Sequence, residues 1–295
     1  MPARMRHLLS PTVLSSMLID PAERFQGKVL VVAPHMDDEV LACGGLMARL
    51  PDKSRIYVVY ATDGMKSPAP LMPWRDAITP DLGERRVQES VAAMGRLGVA
   101  PENLRFLRLP EAELPRHEAE LEGGLLEAIE AISPDHVVVP FRYDRHPDHL
   151  AINRAVTGLC LDGRCTARLT EYFVYYRWRL LPRRDIRRYV KPEHLLEVDI
   201  SQVAHEKRAS LACFETQATC FYAWQTRPIL TPTLLDEECV GPEVFLRFDP
   251  DATGAAVFTG AVPWIRIVHR LEPRLQKWKY VAKSWVSRGL GRGAA

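Results

Sequence analysis

The sequence predicts an α/β fold, a Rossmann-like three-layer sandwich built on a mostly parallel sheet. Three observations point there. Strand-like and helix-like segments alternate from residue 28 to residue 160 with short connections. The first strong strand, Lys28 to Ala33 (KVLVVA), is a continuous valine-rich run of the kind a strand buried on both faces requires. The segment Glu84 to Leu97 places Val87, Val91, Met94 and Leu97 on one apolar stripe, as a helix covering such a sheet does.

Pro34 closes the first strand, and Glu39 to Leu50 reads as a helix ended by Pro51-Asp52. Arg55 to Ala61 is the second strand, followed by a proline-rich loop from Gly64 to Gly83. Gly98 is placed to cap the Glu84 to Leu97 helix. A strand at Leu104 to Leu109, a helix at His117 to Ile132, a strand at His136 to Val139 and a helix from Pro147 to Cys160 complete the alternation. Beyond it, Glu171 to Trp178 and Leu195 to Val198 read as strands and Ser201 to Phe214 as a helix.

The chain has 295 residues, 47% of them hydrophobic and 26% charged, enough to bury a core without disulfide staples. A formal net charge of +2 gives no electrostatic basis for nucleic-acid binding. Cys43, Cys160, Cys165, Cys213, Cys220 and Cys239 include no C-x-x-C pair and read as reduced thiols of a cytoplasmic protein. No apolar run is long enough to span a membrane. The basic Met1 to His7 and partly apolar Leu8 to Ile19 lack the uninterrupted core and small-residue cleavage site of a signal peptide. A short surface segment or helix is expected there.

Two segments concentrate chemistry, and both follow predicted strands. The first is Pro34-His35-Met36-Asp37-Asp38-Glu39; the second is Asp144-Arg145-His146-Pro147-Asp148-His149. Acids at a helix N-terminus are favoured by the macrodipole, and one of them can serve as an N-cap. Neither explanation covers a histidine with two adjacent carboxylates at the end of a buried strand. Such a cluster repels itself unless a cation joins it. The second segment has its own plain reading, a polar loop whose Pro147 opens a helix. Its two histidines, three apart, can also face one way. Together the segments offer His, Asp and His, a donor set suited to catalytic zinc with an open position for water. One carboxylate and one histidine remain beyond ligation, which fits hydrolysis better than a closed structural site.

VLVVAPHMDDEVLACGG followed by DRHPDH resembles the LmbE-like (PIG-L) zinc-dependent N-acetylglucosaminyl deacetylases. The usual first motif is P-H-P-D-D-E, and Met36 replaces its middle proline. The resemblance covers residues 28 to 215. It implies one Zn2+ per chain held by His35, Asp38 and His149. It also implies Asp37 as general base, His146 as oxyanion stabiliser or acid, and Asp148 completing the catalytic set by orienting a histidine. Asp144, Arg86 and Glu111 are the implied substrate-side residues. Arg86 has an equally good plain reading as a surface pair with Glu89 on a helix. Glu111 stands where the family often carries aspartate. Lys207 to Gln217 resembles a C-terminal pattern of some members.

The implied activity is removal of an N-acetyl group from a small-molecule or lipid-linked amino-sugar conjugate. The rivals are an amidase for larger acyl groups and a metal-retaining binding module. A dinucleotide-binding role is disfavoured, because no G-x-G-x-x-G follows the first strand. The expected organisation is an N-terminal extension (1–27), a deacetylase domain (28–262) and a basic tail (263–295). In that tail Leu271, Leu275, Trp278, Ala282 and Trp285 fall at helical spacing among seven Arg and Lys residues from Arg266 to Arg288. It reads either as a helix packed on the domain, the simpler case, or as an interfacial helix giving peripheral contact with anionic lipid. Trp74, Arg75, Tyr222 and Trp224 are aromatic or cationic residues available to stack on a sugar, with ordinary packing the commoner fate.

Overall fold

In the computed structural model, residues 16–70, 77–178, 180–181, 184–249, 257–259, 265, 267–268 and 271 are described. Trp74, Arg75 and nearly all of the basic tail lie outside them. The strands are β1 (Met17–Leu18), β2 (Val29–Ala33), β3 (Ile56–Thr62), β4 (Leu104–Leu109), β5 (His136–Pro140), β6 (Arg168–Tyr172), β7 (Leu195–Val198) and β8 (Glu243–Arg247). They form an eight-stranded sheet in the order β1-β7-β8-β6-β5-β2-β3-β4. Every described pairing is parallel except those of β8 with β6 and β7.

The helices are α1 (Pro21–Arg24), α2 (Asp38–Arg49), α3 (Leu82–Arg96), α4 (Glu118–Ile132), α5 (Pro147–Leu161), α6 (Ala204–Leu211), α7 (Glu215–Ala218) and α8 (Pro232–Glu238). Side chains alternate across each strand, so β2 feeds both faces of the sheet. Val29, Val31 and Ala33 pack with Val40, Met47, Met94 and Leu211 of α2, α3 and α6. Leu30 and Val32 pack with Leu121, Leu125, Ile152 and Val156 of α4 and α5. This is the three-layer sandwich expected from the alternation. A third cluster, including Phe141, Phe173, Trp178 and Phe258, lies beyond β6.

The strand order reverses between β2 and β5, which pair directly through Val31 and Val138. The segments leaving their carboxyl ends therefore meet over one crevice, the usual ligand position in such sheets. No helix among the described residues is long and apolar enough to cross a membrane.

Two expectations need correction. The strand expected at Glu171 to Trp178 is Arg168–Tyr172, and its aromatic continuation leaves the sheet. Phe173 and Trp178 pack into the third cluster instead, so their β propensity serves burial rather than pairing. The helix expected at Ser201 to Phe214 spans only Ala204–Leu211. Three-residue bonds, Cys213 N–H to Ser210 O and Phe214 N–H to Leu211 O, tighten the chain before α7. Gly98 caps α3 as anticipated: it has φ +79°, and Val99 N–H reaches back to Met94 O at 3.0 Å. Met17 and Leu18, from the expected N-terminal extension, pair with β7.

Helix α2 carries an ion pair against its own backbone. Lys207 Nζ donates to Leu41 O at 2.7 Å and to Glu243 Oε1 at 2.8 Å. Glu243 in turn accepts the N–H groups of Gly45 and Leu46 at 2.6 and 2.7 Å. These charges compete for groups that an uninterrupted helix pairs with one another. They can approach because Gly44-Gly45 presents no side chain. A Cβ on Gly45 would lie 2.2 Å from Ile200 Cγ2. Gly45→Ala is therefore expected to destabilise the protein by about 1–3 kcal/mol through overpacking. Gly95→Ala, in α3 with open space at its Cβ position, should gain about 0.5–1 kcal/mol. Urea denaturation of the two variants checks the contrast, and equal midpoints would contradict it.

Candidate active site

β2 ends at Ala33, and Pro34 turns the chain so that His35 reaches the crevice while Asp38 opens α2. Asp37, the residue before the helix, makes no capping hydrogen bond with its side chain and has φ 155°, ψ −26°. That backbone is unfavourable for a residue with a Cβ. The N-cap explanation for this acid thus fails. Glu39 points the other way: fully buried, it accepts Asp37 N–H at 3.0 Å and the Tyr60 hydroxyl at 3.0 Å. Burial pushes its carboxyl up to about 8.

The second segment follows β5. His146 is the N-cap of α5, and its Nδ1 accepts Asp148 N–H at 3.2 Å. Pro147 occupies the first helical position and gives up no hydrogen bond there. One turn into α5, His149 points back to the crevice.

Three atoms from the two segments converge. His35 Nδ1 lies 3.0 Å from Asp38 Oδ2, which lies 3.2 Å from His149 Nε2, which lies 3.4 Å from His35 Nδ1. A tetrahedral zinc with bonds of about 2.0–2.1 Å holds its ligands about 3.3 Å apart. Each histidine also has a carboxylate at its other nitrogen. His35 Nε2 faces Asp148 Oδ2 at 3.1 Å, and His149 Nδ1 faces Asp144 Oδ2 at 3.3 Å. Such partners fix tautomer and ring orientation in metal sites. The donor set therefore fits a zinc-like divalent cation. The ring nitrogens of His35, His146 and His149 also lie within 4.8 Å of one another. His146 Nδ1, however, is engaged by the helix, leaving only its Nε2 toward the cavity.

The electrostatics follow from this packing. Burial works against the charge on Asp38, but His149 and His35 outweigh it and hold the carboxyl far below its ordinary range. Burial lowers His149, but Asp144 and Asp38 lift it to about 9. Burial, with His35 and His149 beside it, pushes His146 down to about 3. Neutral His146 with an accepting Nδ1 must carry its proton on Nε2. Burial raises Asp37 to about 7, partly offset by Arg86.

The structure brings His35, Asp37, Asp38, Arg86, Glu111 and His146 to the lining of one cavity. Arg86 is buried rather than a surface partner of Glu89. Its Nη2 donates to Met36 O at 2.8 Å and lies 3.8 Å from Asp37 Oδ2, and its Nη1 lies 3.7 Å from Glu111 Oε2. Glu89 instead accepts both the N–H and the hydroxyl of Thr216. Asp144, expected on the substrate side, sits behind the site. One oxygen faces His149 and the other accepts His146 N–H at 2.8 Å. Asp148 is fully buried, spanning His35, Ala112 N–H and Leu114 N–H. Tyr222 and Trp224 stack on each other with centroids 5.0 Å apart, apart from the described cavity lining.

Sequence reasoning did not find Tyr175. Its ring stacks on His149 with centroids 5.4 Å apart and lines the cavity. Nor did it find Leu41, Ile229, Leu230, Leu234 and Glu238, which complete the wall. The aromatic run FVYYRW was the one available signal for Tyr175.

A doubly wound sheet thus sets a His-Asp-His triad, a further carboxylate and a neutral histidine at its switch point. Residues 30–160 match the PIG-L family model (GlcNAc-PI de-N-acetylase). The chain is 28% identical over 212 residues to 2'-N-acetylparomamine deacetylase of Streptomyces fradiae, covering 65% of this chain and 74% of that protein. It is 30% identical over 135 residues to a probable N-acetyl-alpha-D-glucosaminyl L-malate deacetylase 2 of Bacillus cereus, covering 43% of this chain and 58% of that protein. The solved zinc-inhibited form of teicoplanin deacetylase Orf2 superposes with TM-score 0.57 at 18% identity, over 76% of this chain and all of that one. At that identity it speaks to the fold alone.

Proposed function

We propose that this chain is a zinc-dependent N-deacetylase acting on a small or lipid-linked amino-sugar conjugate, with residues 28–262 as the catalytic domain. The observation that carries the reading is the mutual spacing of His35 Nδ1, Asp38 Oδ2 and His149 Nε2, with Asp37 and His146 on the cavity side of that triad. The two deacetylase relatives support the amide of an amino sugar as substrate.

His35, Asp38 and His149 would hold the zinc, which supplies Lewis-acid polarisation and a water of lowered pKa. Asp37 accepts the proton of the attacking water, a role suited to a carboxylate raised to about 7. The His146 Nε2–H is set by its backbone hydrogen bond to donate to the developing oxyanion. Asp37 then returns its proton to the departing amine. Arg86 and Glu111 line the polar side of the cavity, where sugar hydroxyls find partners.

Three outcomes are expected. First, the purified protein binds about one zinc per chain and releases acetate from N-acetylated amino sugars, while Asp37→Asn keeps its metal and loses about 10²–10⁴-fold in kcat. Elemental analysis beside an acetate assay tests this, and full activity in Asp37→Asn would remove the base assignment. Second, Asp144→Asn loosens zinc by about 10–100-fold by freeing His149, as chelator competition reads. Third, zinc affinity depends on pH through His35 and His149. The metal-free protein holds a proton on His149 below about 9, and zinc must displace it. Burial lowers His35, but Asp148 and Asp38 lift it well above its ordinary value, so zinc displaces a proton from each histidine and apparent affinity should rise by more than tenfold, toward about 100-fold, per pH unit through neutrality. A pH-independent affinity between pH 6 and 8 would contradict the carboxylate–histidine pairing.

A further inference from the structure

The cavity at the triad has a volume of about 330 Å³, and its two sides differ in chemistry. Lys66, Arg86 and Glu111 enter from the loops and helix that follow β3 and β4, on one side of β2 in the sheet. Leu41 of α2, Val174 after β6, and Ile229, Leu230 and Leu234 around the start of α8 supply an apolar side. Removal of an acetyl group needs space for one methyl, and none of these five residues has a part in proton transfer or metal binding.

Leu41 and Leu230 are buried at the cavity's base, Val174 and Leu234 are half-buried, and the mouth is open. Ile229 is 45% exposed, and Tyr175 at the same mouth is 40% exposed. An apolar wall that runs from the core to an exposed isoleucine beside polar groups suits a ligand's apolar part. At its end lies Glu238, one turn of α8 beyond Leu234, so an anionic terminus on the ligand is disfavoured there.

We propose that the substrate is an N-acyl amino sugar bearing an uncharged aliphatic or aromatic substituent of several carbons. The substituent lies along Leu41, Val174, Ile229, Leu230 and Leu234 while the sugar faces Lys66, Arg86 and Glu111. It is carried either by the acyl group or by the aglycone, and the apolar chemistry is the same for both. This assignment rests on the deacylase reading of the site.

The test separates the two. Zinc-loaded Asp37→Asn protein is titrated calorimetrically with the methyl glycoside of N-acetylglucosamine, its octyl glycoside, and the methyl glycoside of N-octanoylglucosamine. Free-amine release from each is measured separately with the unaltered enzyme. A buried methylene contributes about fourfold in affinity, so three or more on the wall give about 50-fold tighter binding of one octyl probe over the methyl parent. Gain with the octyl glycoside places the substituent on the aglycone; gain with the octanoyl compound places it on the acyl side. The Ile229→Ser, Leu234→Ser double variant, with Ile229 at the surface, should cut that gain at least tenfold. The apolar assignment is overturned if both octyl probes bind within threefold of the methyl parent, or if the gain survives in the double variant. Amine release from the methyl parent without any alkyl gain would keep the deacetylase and remove only this assignment. Alkyl gain without amine release from any probe would do the reverse.

Discussion

The contact of Asp38 with two histidines holds the site together. One carboxylate oxygen faces ring nitrogens from segments 114 residues apart in sequence, and the same oxygen accepts His35 N–H at 3.1 Å. It ties the end of β2, the start of α2 and the first turn of α5 to one point. A buried carboxylate would be costly by itself. Here the histidines offset its burial, and Asp144 and Asp148 stand behind them in turn. The alternation of charge outward from Asp38 allows five ionisable groups to share one buried cluster.

That arrangement demands a rigid α2, because Asp38 lies in its first turn. The Lys207–Glu243 pair supplies an anchor one to two turns further along, tying α2 to α6 and β8. The pair is buried, and each charge is matched by the other and by backbone dipoles. Pairs of this kind contribute little net stability but are costly to break. Their use here is geometric: they fix α2 against α6 and β8. The Gly44-Gly45 step belongs to the same device, since Ile200 and Glu243 occupy the space that a side chain would need. A functional motif in β2–α2 is thus supported from the far end of the chain.

How much of this was legible in the sequence follows from how local each feature is. β2, β3 and β5 read clearly because they are buried runs bounded by turn residues. The two acidic-histidine segments also read clearly, because their chemistry is compressed into six residues each. What did not read depends on long-range partners. β8 is a five-residue strand whose meaning comes from antiparallel pairing with β6 and β7. Residues 173–178 carry the composition of a strand and pack as a cluster. Arg86 read equally as a substrate-side residue and as half of a surface pair until the fold buried it between Asp37 and Glu111. Asp144 looked like a substrate contact until both its oxygens were engaged by the second segment's own histidines. The apolar wall consists of ordinary leucines, isoleucine and valine, which carry no signal until the fold sets them beside Asp37.

The cavity's charge also constrains what can enter it. Asp37, Asp38, Glu111 and Glu238 line it against Arg86 and Lys66, and Arg86 is already committed to Met36 O, Asp37 and Glu111. Without a divalent cation the lining is rich in acceptors and would repel a phosphate. This separates the chain from nucleotide-binding proteins of similar topology, in which glycine-rich backbone and a helix N-terminus receive a pyrophosphate at the same switch point. Here the equivalent helix N-terminus is filled by Asp37 and Asp38. The sheet places ligands at that point in either case, and the side chains at the strand ends decide between binding an anion and holding a cation for hydrolysis.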